Sequence, residues 1–138
     1  MASIDGGCLC GAIRYEIDSD SSLAAFCHCR DCQYVSGGAP AAVVVFPSDA
    51  VRVVRGKERV FWNMADSGAR VYRSFCDNCG TPLFAGNELH PESVVVKLGS
   101  LDDPSRFAPL CHIWTSSAQP WHHIDPAKPA FPKSPGAS

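Results

Sequence analysis

Long apolar runs, blocks of like charge and helical periodicity are all missing from this chain, and each gap removes a class of protein. The longest strongly apolar stretch, Ala39 to Phe46, falls far short of the about 20 residues that span a bilayer, so no transmembrane helix and no membrane partner are expected. Charge is scarce: 19% of the residues are charged, and 12 Lys and Arg against 14 Asp and Glu leave a formal charge of -2. Without a basic surplus, nucleic acid is not expected as the main partner. The start, Met1-Ala2-Ser3-Ile4-Asp5, lacks the basic and apolar regions of a secretory signal, and a reducing, cytoplasmic setting is the expectation. No internal repeat or heptad appears, and no stretch carries a long helical period with start and stop signals. Any helix should therefore be one or two turns.

What is present points to a folded β protein. The 138 residues are 46% hydrophobic, enough for one core and too apolar for disorder. Eleven Gly and 11 Pro break the chain into short elements. Ala12-Ile13-Arg14-Tyr15-Glu16-Ile17 alternates apolar and polar residues, the period of a strand with one wet face. Ala41 to Phe46, Val51 to Val54, Arg59 to Asn63, Arg70 to Phe75 and Val94 to Leu98 are rich in β-branched or aromatic residues and read as further strands. Short helical turns are expected just after Cys29 and around Asp102 to Phe107. Residues 1–131 read as a single domain. Prolines at 126, 129, 132 and 135 deny the backbone regular hydrogen bonding, and residues 132–138 read as a flexible Pro-rich tail.

Eight cysteines need an explanation in a reducing compartment, where free thiols are reactive and disulfides do not persist. Seven fall into three groups: Cys8-Leu9-Cys10-Gly11, Cys27-His28-Cys29-Arg30-Asp31-Cys32 and Cys76-Asp77-Asn78-Cys79-Gly80; Cys111 stands apart. These close spacings suit a metal better than unstrained disulfides. Zinc prefers four ligands in a tetrahedron. The first and third groups share a glycine after the second cysteine, which can turn the backbone so that its amides meet the sulfurs. Pairing Cys8 and Cys10 with Cys76 and Cys79 gives a closed, structural zinc site that ties the first strand to the strand ending at Phe75. The middle group, Cys27, Cys29 and Cys32, offers three ligands and leaves one position open, unless Cys111, His28 or His112 fills it. A zinc on three thiolates has a net charge of about -1 and is a weak Lewis acid, poorly suited to hydrolysis. It can hold an incoming thiol as a thiolate nucleophile.

Gly7-Cys8-Leu9-Cys10-Gly11, Tyr15, the Cys27 to Cys32 group, Phe75-Cys76-Asp77-Asn78-Cys79-Gly80, His112-Ile113-Trp114 and Trp121 together resemble the glutathione-dependent formaldehyde-activating enzyme (GFA) family, which shares a domain with centromere protein V. The resemblance runs from Gly6 to about Phe131. It implies a mainly β, Mss4-like fold of short antiparallel strands in small sheets around a structural zinc, with little helix, of the kind shared with translationally controlled tumour protein. It implies two zinc ions per chain, one structural on Cys8, Cys10, Cys76 and Cys79, the other in an active centre on Cys27, Cys29 and Cys32. It further implies a carbon-sulfur lyase that joins glutathione to formaldehyde as S-(hydroxymethyl)glutathione, with a small-molecule thiol and a small aldehyde as partners. Thiols add to formaldehyde unaided, so such a catalyst contributes mainly by positioning.

His28 and His112 are the titratable candidates for protonating the adduct oxygen. The pair His122-His123 is expected at the surface. Arg30, Arg70, Arg73 and Lys97 are cations available to the carboxylates of glutathione, with Arg30 taken as the contacting one. Of the tryptophans, the resemblance favours Trp114 and Trp121 as pocket walls over Trp62. Two other readings share these ligands: a zinc-binding interaction module without turnover, and a thiol or zinc sensor that exchanges metal at the middle group.

Overall fold

The computed structural model describes residues 3–20, 23–65 and 67–135, and most of its regular elements are short strands. In chain order they are β1 (Ile4–Gly7), β2 (Arg14–Ile17), β3 (Leu23–Cys27), helix α1 (Arg30–Ser36), β4 (Ala41–Pro47), β5 (Val51–Arg55), β6 (Arg59–Met64), β7 (Arg70–Phe75), β8 (Pro82–Asn87), β9 (Ser93–Lys97) and β10 (Cys111–Ile113). Single 3-10 turns occur at Ser48–Ala50, Leu98–Ser100, Pro104–Arg106 and Thr115–Ser117. The turn expected around Asp102 to Phe107 is the third of these, with the Asp103 side chain accepting from Ser105 N–H at its start.

The strands form a three-stranded sheet, β1-β2-β5, and a seven-stranded sheet, β10-β3-β4-β9-β8-β7-β6. All the neighbours pair antiparallel except β10, which lies parallel to β3. β4 is central in the larger sheet, which is why Ala41 to Phe46 reads as an unbroken apolar run rather than an alternating one.

The two faces of the larger sheet differ. Ala24, Val44, Phe46, Val94, Val96 and Phe84 point to one side and pack against Ile4, Tyr15 and Ile17 of the smaller sheet, forming the main core. Each large side chain buried there contributes about 1.5–3 kcal/mol of transfer free energy. Ala25, Cys27, Ala41, Val43 and Cys111 point to the other side, where Cys29, Cys32 and Trp114 pack on them. The functional groups gather on that second face.

Prolines near the C-terminus do not leave the backbone unpaired. Proline lacks an N–H but keeps its carbonyl, so Pro129 O accepts from His112 N–H at 2.9 Å and Pro132 O accepts from Ser116 N–H at 3.2 Å. Phe131 N–H donates to His112 O at 2.9 Å, which lays residues 129–133 alongside β10 and the turn that follows it. This corrects the expectation that the prolines forbid regular pairing. Of the expected tail, residues 136–138 lie outside the described part.

Candidate active site

The sulfurs of Cys8, Cys10, Cys76 and Cys79 meet where the β1–β2 connection reaches the β7–β8 hairpin, all within 4.8 Å of one another. Cys8 Sγ lies 3.6 Å from Cys10 Sγ, and Cys10 Sγ lies 3.8 Å from Cys76 Sγ. Four sulfurs placed about 2.3 Å from a zinc stand about 3.8 Å apart, so the spacing is that of a tetrahedral thiolate site. Gly11 and Gly80 have φ of +82° and +79°. Their amides bond not to sulfur but to Cys8 O and Cys76 O, closing each turn. The sulfurs are served instead by Ile13 N–H and by Asn78 Nδ2–H, each at 3.2 Å, on Cys8 and Cys10. Thr81 Oγ1 sits 3.1 Å from Cys79 Sγ, and this hydroxyl, with the amides of Thr81 and Cys10, draws the Cys79 thiol down to about 5. Such donors favour thiolate, the form a metal binds. The cluster joins the two sheets, as its position between distant sequence segments requires.

The second cluster is built on the change from strand to helix. Cys27 ends β3, Cys29 is the N-cap of α1 and accepts from Cys32 N–H at 3.3 Å, and Cys32 lies in the first turn. Their three sulfurs also lie within 4.8 Å of one another, and no fourth His, Cys, Asp or Glu donor joins them among the described residues. Cys29 is drawn well below the ordinary thiol range by hydrogen bonds from Cys27 and Cys32, then by the Cys32 amide and the positive charge of Lys97. Cys27 is pushed up, first by its bond to Cys29. The N-cap position thus favours thiolate, and a metal bound to the trio would take the place of the remaining thiol protons. The donor set fits zinc held by three thiolates. Cys111 is buried in β10 opposite Ala25.

His28, although set between two of these cysteines, turns inward and is 0% exposed. Its Nε2 lies 2.9 Å from His112 Nδ1, and its Nδ1 lies 2.9 Å from His122 Nδ1. His122, expected at the surface, is half-buried and contacts Gly38 O through Nε2 at 2.7 Å. His112 is buried, stacks on Phe26 and accepts from Asp125 N–H at 3.2 Å through Nε2. Burial, followed by the closeness of the His112 and His122 imidazoles, which would repel a proton charge on this ring, pushes His28 down to about 4. Gln33 completes the support: its buried amide donates to His28 O at 2.8 Å and Ser117 O at 2.9 Å, and its Oε1 accepts from Gln119 at 3.1 Å. No local pattern marks Gln33 or His122, since their partners Ser117 and His28 lie 84 and 94 residues away in sequence.

The three cysteines open into a cavity of about 430 Å³ over the second face of the larger sheet. Arg30, Arg73, Lys97 and Trp114 line it, whereas His28, His112 and Trp121 do not. Trp121 is 72% exposed and meets His122 edge-on. Arg30 is exposed, bonded to Gln33 and laid over Tyr34. Arg73 pairs with Asp31 at 3.4 Å. Arg70 is held by Glu88 at 3.9 Å and lies over Trp62. Lys97 differs from all three: its side chain has no ion-pair or hydrogen-bond partner among the described residues although the residue is only 8% exposed. No described helix is long and apolar enough to cross a membrane.

Comparison with curated proteins gives no match. Among solved structures, the crystal structure of a Rhodobacter sphaeroides protein matches at 21% identity with a TM-score of 0.56, over 92% of this chain and 98% of that one, a likeness of fold. The family model for the glutathione-dependent formaldehyde-activating enzyme matches residues 3–117.

Proposed function

Because the chain belongs to the glutathione-dependent formaldehyde-activating enzyme family, we propose that it is a zinc-dependent carbon-sulfur lyase that makes or breaks the bond between a small thiol such as glutathione and a small aldehyde. The observation that carries this reading is the convergence of Cys27, Cys29 and Cys32, three donors without a fourth among the described residues, on the wall of a cavity. The other cluster, with four donors, has the structural role. A zinc bound by the trio supplies a soft site at which a thiol loses its proton.

In the addition, the sulfur lone pair forms the S–C bond, the carbonyl π pair moves to oxygen, and the thiol proton ends on that oxygen. Nothing is oxidised or reduced. Lys97 faces the trio closely enough for its charge to draw down Cys29 and Cys32. Its unpaired ammonium hydrogen-bonds the oxygen on which negative charge develops, a stabilisation that grows toward the transition state. Arg30 and Trp114 hold the body of the thiol at the cavity wall. His28 and His112, the sequence candidates for proton transfer, act here as positioning residues: with no surface in the cavity, they fix the Cys27–Cys29 segment by hydrogen bonds.

Exchange between formaldehyde, glutathione and their adduct, followed by NMR with and without the zinc-loaded protein, tests the reading. Exchange faster than the uncatalysed rate supports it. An unchanged rate together with calorimetric binding of glutathione leaves the non-catalytic module, and readily exchanged zinc at the trio leaves the sensor.

A further inference from the structure

The cavity continues well past the cysteines along a strip of aliphatic side chains, with the polar groups of Ser93, Asn87 and His90 at its far rim. Registers across the sheet place Ala25, Val43 and Lys97 in one transverse row and Leu23, Val45, Val95 and Ala85 in the next. Successive rows on one face are about 6.6–6.8 Å apart along the strands. The second row therefore starts about 13 Å from the row that holds Cys27. Ala25 and Val43 are buried in the small second core, but the side chains of the next row, Leu23, Val45, Val95 and Ala85, are only partly covered. On central strands β4 and β9, Val44 and Val96 point to the other face and are 0% exposed, while their neighbours Val45 and Val95 are half-buried and look into the cavity. An apolar sheet face held open in this way costs hydrophobic free energy unless something apolar occupies it.

The trio and the unpaired ammonium of Lys97 stand at one end of this trough. Beyond them Arg73 is already neutralised by Asp31. Formaldehyde has no substituent to lay on the valines, and among the described residues that line this stretch no lysine or arginine without a carboxylate partner is left for the carboxylates of glutathione. The volume, about 430 Å³, is that of a small-molecule site rather than a protein groove.

We infer that the aldehyde partner of this site carries an aliphatic arm, so that the ligand is the adduct of a thiol with an alkyl aldehyde. Its sulfur and oxygen lie at Cys27, Cys29, Cys32 and Lys97, and its arm lies along Val43, Val45, Val95 and Ala85. This rests on the thiol-adduct reading above and deepens it.

Stable analogues of such adducts, S-methylglutathione, S-propylglutathione and S-hexylglutathione, titrated calorimetrically into the zinc-loaded protein, test the inference. Affinity is expected to rise about threefold to fourfold for each buried methylene. Ala85→Phe, which fills the trough, should remove that rise and leave S-methylglutathione bound as before. Val45→Thr, nearly the same shape but polar, should weaken S-hexylglutathione alone. Equal affinity across the series, or a rise that survives Ala85→Phe, overturns the inference and leaves the glutathione reading standing. Binding of 1-hexanethiol but of no glutathione derivative, again lost in Ala85→Phe, supports the trough and overturns glutathione as the thiol.

Discussion

Nε2 of His28 stands 2.9 Å from Nδ1 of His112, and this contact sets the protonation of three rings. Asp125 N–H donates to His112 Nε2, so the His112 proton sits on Nδ1 and is donated to His28 Nε2. His28 must then carry its proton on Nδ1 and donate it to His122 Nδ1. His122 Nε2–H in turn donates to Gly38 O. The far end agrees independently, since Gln119 N–H also approaches His122 Nδ1, at 3.3 Å. Every nitrogen in the chain has one role, and all three rings are neutral.

Long-range imidazole nitrogen NMR at neutral pH should therefore find the Nδ1–H tautomer for His28 and His112 and the Nε2–H tautomer for His122. His28 stays neutral at pH 5, because burial holds it down at about 4. The folded chain binds that proton less tightly than the unfolded chain, whose value is 6.5. Between those values the unfolded state holds more protons, so stability falls as pH is lowered from 6.5 toward 4, by on the order of 2 kcal/mol from His28. A His28 ring that titrates near 6.5, or stability that is flat over this window while zinc stays bound, contradicts the arrangement.

The two cysteine clusters should respond differently to loss of a ligand. Metal analysis is expected to find about two zinc per chain. Cys76→Ser opens the site that joins the sheets and should cost about 3 kcal/mol or more, with one zinc lost. Cys27→Ser should also lose one zinc but keep a cooperative unfolding transition, because strands β3 and β4 remain paired from Leu23 to Cys27. If both variants unfold alike, the division into a structural and an active site is wrong.

Lys97 offers a test by charge. Lys97→Met keeps most of the stem and removes the ammonium that faces Cys29 and Cys32. Zinc competition should show weaker binding at the trio, about tenfold, with the tetrathiolate site unaffected. Lys97→Arg should recover most of the loss. Equal zinc affinity in Lys97→Met and the parent would remove Lys97 from the site.

Tyr15 and Ser100 make an asymmetric pair. Their hydroxyls are 2.6 Å apart, and Ser100 Oγ donates to Lys97 O at 2.8 Å. The proton between them therefore comes from Tyr15, whose buried phenol is pushed up to about 12. Ser100→Ala strands that phenol and should cost about 1–3 kcal/mol, whereas Tyr15→Phe leaves Ser100 with its carbonyl partner and should cost about 1 kcal/mol. Denaturant unfolding of the two variants checks the order, and a larger loss for Tyr15→Phe would reverse the donor assignment.

Much of the site was legible before any fold was known, for local reasons. Cys27, Cys29 and Cys32 are close in sequence, so a strand that ends and a helix that starts at Cys29 bring them together by backbone geometry alone. Cys8-Leu9-Cys10-Gly11 and Cys76-Asp77-Asn78-Cys79-Gly80 each supply two donors, and the glycine they share after the second cysteine marks them as partners in a set of four. Strand candidates such as Arg70 to Phe75 carry enough β-branched and aromatic residues to declare themselves. By contrast β1, β3, β8 and β10, reading IDGG, LAAFC, PLFAGN and CHI, carry small or mixed residues whose strand state comes from their partners.

The sequence by itself determined which atoms can bind metal and in what numbers, since donor chemistry and short spacings survive any arrangement of the rest. Only the tertiary structure decided what surrounds the trio. His28 meets His122 across 94 residues, Lys97 reaches the cysteines because β9 pairs with β4, and the aliphatic trough exists because one face of a seven-stranded sheet is covered by a second sheet while the other is not. Such relationships depend on strand order and register, which long-range pairing sets and no short stretch of chain encodes.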